Sequence, residues 1–340
     1  MPARERIARE IAARGGWIPF ARYMELALQH YYGARAQGIG AGGDFVTAPE
    51  LGTLFGRTLA RSLPFERVLE LGAGTGKLAE VILSERRCEY TILETSPALQ
   101  ERQRERLGDR VEFVERLPER FHGLILANEV ADALPVHLIS WTESGILERG
   151  VREGFAWEDR PATGTLLAEA RRISVPVPYL SEIGLAARAW MRSLADCLES
   201  GVILVIDYGF PRHEYYHPQR ACGTLMCHHR HQAHADPFAH PGDEDITAHV
   251  DFSALADAAR EAGAQVVGYA TQAQFLVNCG ITDVLAEANA ENALHYAPIA
   301  AEAQTLLSPA EMGELFKVLA VGRGAPPLSG FSRGDRSHTL

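Results

Sequence analysis

A chain of 340 residues, 46% of them hydrophobic and 23% charged, is long and apolar enough for one enlarged α/β domain carrying insertions. Its net charge of -11 argues against sequence-independent nucleic-acid binding, which needs lysine and arginine against phosphates, and it suits a cationic substrate. Five scattered cysteines argue against a disulfide framework, and no stretch approaches the ~20 apolar residues that span a bilayer, so a soluble cytoplasmic protein without membrane insertion is expected.

Residues 1–36 read as helical, divided at Gly15-Gly16 and Pro19. Residues 38–43 form a glycine-rich loop. A helix over 49–63 follows, with Thr47 as its cap and Pro49 in its first turn. Together 1–63 make an N-terminal helical extension whose loop closes on the core. From residue 64 the pattern changes. Apolar runs at 68–71, 89–93, 110–114, 123–127, 202–206, 264–269 and 316–321 read as strands. Helical segments at 77–86, 97–107, 180–198 and 252–262 intervene, which predicts an α/β fold with a Rossmann-like sheet of seven strands over 64–323. Three inserts stand outside that plan. Residues 139–172 alternate apolar and polar around Gly145, Gly150 and Gly154, as in an antiparallel meander. Residues 211–249 are rich in histidine, and 275–307 are helical and rich in alanine. The tail, 324–340, carries Pro, Gly, Ser and charge and reads as disordered.

The first core strand runs into Glu70-Leu71-Gly72-Ala73-Gly74-Thr75-Gly76-Lys77. Strand, glycine turn and helix N-terminus open a nucleotide-sized pocket at the carboxyl edge of such a sheet. Lys77 stands where a dinucleotide fingerprint has its last glycine, and Glu70 precedes the first glycine by two positions. That pattern resembles motif I of the class I S-adenosylmethionine methyltransferases. Glu94 ends the second strand, 20 residues after Gly74, near the spacing at which an acid reaches ribose hydroxyls.

After the fourth strand comes Asn128-Glu129-Val130-Ala131-Asp132-Ala133-Leu134-Pro135. Paired carboxylates there would hold a planar guanidinium bidentately, and methyl transfer depends on in-line positioning. The alternative is that Asn128 or Asp132 caps a helix. Asp207, in Asp207-Tyr208-Gly209 at the end of strand five, is either a pocket acid or a turn former. The insert 211–249 holds His213, His217, His228, His229, His231, His234, His240 and His249 around Cys222 and Cys227. The spacing Cys222-x4-Cys227-His228-His229 lacks a paired zinc-ligand pattern, so no metal is expected and the histidines read as lining a polar cleft or a surface loop.

The ordered set of segments resembles the MidA-like class I methyltransferases, bacterial relatives of the mitochondrial complex I assembly methyltransferase. The resemblance is carried by Gly43-Asp44-Phe45-x-Thr47-x-Pro49-Glu50, the Glu70 to Gly76 loop, Asn128-Glu129-x-x-Asp132-Ala133-Leu134-Pro135, Ile206-Asp207-Tyr208-Gly209, Gly223-Thr224-Leu225, Asp236-Pro237-Phe238 and the run from Asp245 to Phe252. It implies S-adenosyl-L-methionine as cofactor and an arginine of a protein substrate as acceptor. On this sequence it implies that Gly72, Ala73, Gly74 and Gly76 shape the cofactor loop with Glu70, and that Glu94 takes the ribose. Asp44, Pro49 and Glu50 would close the pocket, and Asn128, Glu129 and Asp132 would lie beside the methyl group. The chain has Val130-Ala131 where the family pattern has bulky aromatics. A small-molecule methyltransferase, a non-catalytic assembly factor and a homodimeric state stay open at this point.

Overall fold

The structure, a computed structural model, describes residues 2–34, 47–289 and 291–340. At its centre seven strands run side by side in the order Glu112–Val114, Glu89–Leu93, Arg67–Leu71, Phe121–Asn128, Leu198–Phe210, Phe316–Arg323, Gln265–Thr271. The two-residue strand Val250–Asp251 adds to Leu198–Phe210 as an eighth member. Neighbours are parallel except around Phe316–Arg323, which runs antiparallel to both of its partners. The central strands are nearly continuous in apolar residues because helices cover both faces. Leu69, Ile125, Leu126, Ile203 and Leu204 are all fully buried. Leu59, Leu78 and Ile82 pack on one face, Met191, Leu194 and Leu255 on the other. Strand order reverses between Arg67–Leu71 and Phe121–Asn128, so the crevice at their carboxyl ends is the place for a ligand.

The extension and the meander meet in a second sheet. Trp17–Pro19, expected within a helical stretch, is a strand that pairs with Gly145–Arg152. His137–Thr142 and Ala156–Pro161 flank that strand. Tyr179–Ile183 completes the sheet, pairing with His137–Thr142. The helix expected over 180–198 therefore begins only at Leu185, after Gly184. Its first residues have apolar positions compatible with either element, and the waiting strand edge decides between them.

The helix expected over 49–63 is two helices, Ala48–Leu51 and Leu54–Ser62. Thr47 makes no side-chain cap. The second helix is capped from far along the chain, by the Glu302 carboxylate, which accepts from the amides of Thr53 (3.1 Å), Leu54 (2.8 Å) and Phe55 (3.2 Å). Gly52 makes room for it, since a Cβ there would lie 2.0 Å from Glu302 Oε2.

The tail is ordered against the core, contrary to its composition. Leu328 is buried, and the Phe331 ring lies against Phe275 (5.1 Å between centroids) and over Gly268, where a Cβ would be 2.2 Å from the ring. Asp335 Oδ1 accepts from Tyr269 N (3.0 Å), and Arg336 N donates to Tyr269 O (2.6 Å). Gln265–Thr271 is an edge strand whose backbone groups need partners, and the tail supplies them. Among the described residues no helix is long and apolar enough to cross a membrane.

If the tail is packed in this way, Leu328→Ala lowers the unfolding free energy by about 2–4 kcal/mol in urea denaturation. A midpoint equal to that of the parent would place Leu328 in solvent.

Candidate active site

Three alternate glycines make the turn after Arg67–Leu71. Gly72 (φ +60), Gly74 (φ +54) and Gly76 (φ +78) are all left-handed, a conformation side chains disfavour. A Cβ on Gly72 would also lie 3.2 Å from the Val130 side chain. Gly76 caps the helix Lys77–Glu85 and does not reach the crevice, so it shapes the loop from behind. Above the loop lies a cavity of about 420 Å³.

The cavity wall gathers most of the sequence-selected residues. Glu70, Gly72, Ala73 and Gly74 come from the first strand and its turn, and Glu94 from the end of the second. Asn128 and Glu129 come from the fourth, and Pro49 and Glu50 from the N-terminal side. Asp44 lies outside the described residues. The helix Phe20–Ala34 was expected, but not its part in the wall, to which it contributes Glu25, Gln29 and Tyr32. Their spacing of four and three residues is one polar stripe on an otherwise apolar helix, and that stripe was the available signal. None of the insert's histidines lines the cavity among the described residues, against the reading of a histidine-lined cleft.

The wall is acidic. Among its described residues Glu25, Glu50, Glu70, Glu94 and Glu129 face one cation, Lys77, which pairs with Glu80 at 3.0 Å. Burial pushes Glu70 up to about 7, against the 3.0 Å hydrogen bond it accepts from the Tyr90 hydroxyl. Glu94 is raised by burial and accepts from Ser96 N (2.9 Å) and Gln103 Nε2 (3.1 Å). Glu129 is pushed up to about 8, first by burial and then by the charge of Asp132. One of its oxygens takes Ala48 N (3.1 Å) and Asn128 Nδ2 (3.2 Å), which ties the loop to the N-terminal closing segment. The Thr75 hydroxyl donates to Glu50 and makes a second tie.

Glu129 has φ 54, a conformation that costs a non-glycine residue of order 1 kcal/mol or more and persists only where its surroundings enforce it. Asp207 enforces it. Its Oδ2 accepts from the amides of Val130 (3.2 Å), Ala131 (2.9 Å) and Asp132 (3.3 Å), and its Oδ1 from Tyr208 N (2.9 Å). Asp207 is fully buried beneath the loop and absent from the cavity wall, so the expected pocket acid is a positioning residue. Burial and the neighbouring Asp132 and Glu129 push its carboxyl up, while the amides hold it down. Asp132 is likewise turned away from the cavity and accepts from the Tyr208 hydroxyl. No helix begins at Asn128 or Asp132, which removes the capping alternative: a turn leads from here into His137–Thr142.

A Rossmann-like sheet with one reversed strand, a left-handed glycine turn and an acidic crevice at the switch point define a class I methyltransferase. Residues 56–270 match the family described as "Putative S-adenosyl-L-methionine-dependent methyltransferase", and the chain belongs to that family. A crystal structure of a COG1565 superfamily member from Burkholderia thailandensis, bound to S-adenosyl-homocysteine, is similar at 48% identity and a TM-score of 0.95. The match covers 99% of this chain and 96% of that one. Among curated proteins, the mitochondrial protein arginine methyltransferase NDUFAF7 of Danio rerio is 30% identical over 93% of this chain and 85% of its own length. The Drosophila melanogaster homologue is 28% identical over 91% and 82%.

The protein is thus an S-adenosyl-L-methionine-dependent methyltransferase, and its cavity fits that cofactor. The turn Gly72-Ala73-Gly74 lines the cavity with backbone and a single methyl group, and the acidic wall complements a sulfonium cation. Asn128 Oδ1 is buried without a hydrogen-bond partner, an acceptor that a ligand N–H would satisfy.

Two variants separate support from chemistry. Asp207→Ala strands three buried loop amides and is expected to cost about 3 kcal/mol of stability by chemical denaturation; no loss would mean the loop holds itself. Glu129 binds its proton more tightly folded than unfolded, so its contribution to stability falls as pH rises from 4.5 to about 8. Without cofactor, Glu129→Gln therefore melts higher than the parent at roughly pH 9 and not at roughly pH 5. Equal melting at both would place the carboxylate in water.

Proposed function

We propose that this enzyme methylates an arginine side chain of a protein. The observation that carries the reading is the Glu129 carboxylate: partly buried, held on a constrained loop at the cavity wall, and raised to about 8. The cofactor supplies an electrophilic methyl group on a sulfonium. What remains for the protein is to bind a strongly solvated cation, aim one nitrogen and accept a proton. A guanidinium keeps its charge at every ordinary pH, so it is recognised by carboxylates. Glu129 would pair with it, draw its positive charge away from the attacking nitrogen and take the proton released on transfer. A carboxylate whose proton affinity lies near neutral pH suits that last task better than an ordinary one.

The other residues follow from their positions. Glu94 would hold the ribose hydroxyls, with both its oxygens already anchored by protein N–H groups. Gly72 and Gly74 would let the backbone approach the methionine part. Asn128 orients Glu129 through its amide, and Asp207 and Asp132 act through the loop and not on the reacting atoms. The similar zebrafish and fruit fly proteins are named protein arginine methyltransferases, which supports the same acceptor class here.

Transfer of radiolabelled methyl groups into a cell lysate, followed by acid hydrolysis of the protein fraction, is expected to yield labelled methylarginine. Label confined to small molecules or to other residues would overturn the acceptor. With an identified substrate, kcat/KM is expected to rise with pH up to about 8 as free Glu129 ionises. Glu129→Gln should lose about 10²-fold or more and flatten that rise while S-adenosylhomocysteine affinity, by calorimetry, stays near the parent's. An unchanged profile would remove Glu129 from the reaction.

A further inference from the structure

The histidine-rich insert folds into a three-stranded antiparallel sheet. Met226–His229 lies between Gln232–His234 and Asp245–Thr247. Cys227 sits directly opposite His234 on one neighbour and opposite Ile246 on the other. Opposed residues share a face, and so do residues two apart along a strand. Glu244 immediately precedes the strand Asp245–Thr247, and its carboxylate comes within reach of Cys227 and His234. Thiol, imidazole and carboxylate offer one ligand atom each, all within 4.8 Å of one another.

These groups are not paired as a protein interior demands. Glu244 is fully buried, and neither of its oxygens has an aligned hydrogen bond, although the His240 backbone amide lies beside the carboxylate. His234 Nε2 lies 3.0 Å from Glu244 Oε2, yet each atom lacks an aligned hydrogen bond. Cys227 is fully buried beside them. Isolated buried polar groups are costly, and a buried carboxylate with both oxygens unsatisfied especially so. Lone pairs that converge without bonding one another fit a shared cation at their focus.

We infer that Cys227, His234 and Glu244 bind a divalent metal ion, with zinc the fitting choice. One soft sulfur with one nitrogen and one oxygen suits zinc, whose bonds of about 2.0–2.3 Å put ligand atoms roughly 3.3–3.8 Å apart. The fourth corner is open to water or to His229, on the same face two residues along from Cys227. His229 Nδ1 lies 3.1 Å from Asp243 O; a carbonyl only accepts, so Nδ1 carries the proton and Nε2 is left as a ligand atom.

The three residues stand outside the cavity wall but are mechanically joined to it. Asp245, next to Glu244, accepts from the hydroxyl of Tyr32 (3.0 Å), and Tyr32 lines the cavity. The metal would brace the insert against the helix Phe20–Ala34. The hairpin needs such a brace: its turn residues Arg230 (φ 50) and His231 (φ 61) are left-handed without being glycine or asparagine. This inference is independent of the acceptor proposed above.

The test uses the full-length protein. Purified after growth with zinc, it should carry about one zinc per chain by elemental analysis. Exchange for cobalt(II) should give tetrahedral d–d bands and a near-ultraviolet thiolate-to-metal band. Cys227→Ser should abolish the thiolate band, whereas Cys222→Ser, at the exposed cysteine, should leave it. Chelation should lower the melting temperature of the parent, and zinc should restore it. A folded parent that takes up cobalt without a thiolate band, or takes up none, overturns the site; His234 and Glu244 would then simply share a proton. A thiolate band that persists in Cys227→Ser would overturn it equally.

Discussion

One carboxylate under one loop organises the catalytic edge of this enzyme. Asp207, just past the point where its strand stops pairing with Phe121–Asn128, collects the amides of Val130, Ala131 and Asp132, which belong to the neighbouring strand's exit. The parallel register that puts Ile206 beside Asn128 is what brings them together. That grip on the three residues after Glu129, with the bond from its own amide to Ile206 O, holds Glu129 at a positive φ. The buried sheet, its register, the acid and the loop form one line of dependence that ends at a carboxylate on the cavity wall.

The electrostatic character of the cavity follows from the same construction. Several carboxylates are crowded into a partly dry space, and their mutual repulsion and desolvation raise their proton affinity. A cation entering that space relieves the strain that assembling it created. Recognition of positive charge is thus built into the empty fold, before any particular acceptor is considered. The structure divides the acids by task. Those on the wall face the cavity, and those beneath it, Asp207 and Asp132, hold the loop that carries part of the wall.

Much of this was legible in the residues themselves. Apolar runs marked every main strand because two-sided burial demands them, and alternate glycines marked the turn because only glycine takes three left-handed positions cheaply. Glu94, Glu129 and Asn128 could be placed at the cavity wall because they lie where strands end at the carboxyl edge of the sheet. What escaped depends on partners distant in sequence. Tyr179–Ile183 is a strand because His137–Thr142 offers it an edge. The tail is ordered because Tyr269 offers it backbone groups. Asp207 could not be told from a wall residue by type, since an acid gripping amides and an acid facing a ligand look alike in sequence. The grouping of Cys227, His234 and Glu244 was hidden because it follows strand pairing and not linear spacing.

The cap that Glu302 places on the helix Leu54–Ser62 bears on the order in which the chain can mature. That helix packs beside the segment closing the cofactor cavity, yet its orphan amides wait for a residue some 250 positions further on. The strand Phe316–Arg323 arrives later still and inserts between two strands already made. During synthesis the N-terminal half is therefore an unfinished crevice with an exposed sheet flank, and native packing comes only once Glu302 and the strand Phe316–Arg323 have emerged. Contacts of such long range slow folding, and they also couple the segment around Glu302 to the integrity of the cavity it helps close.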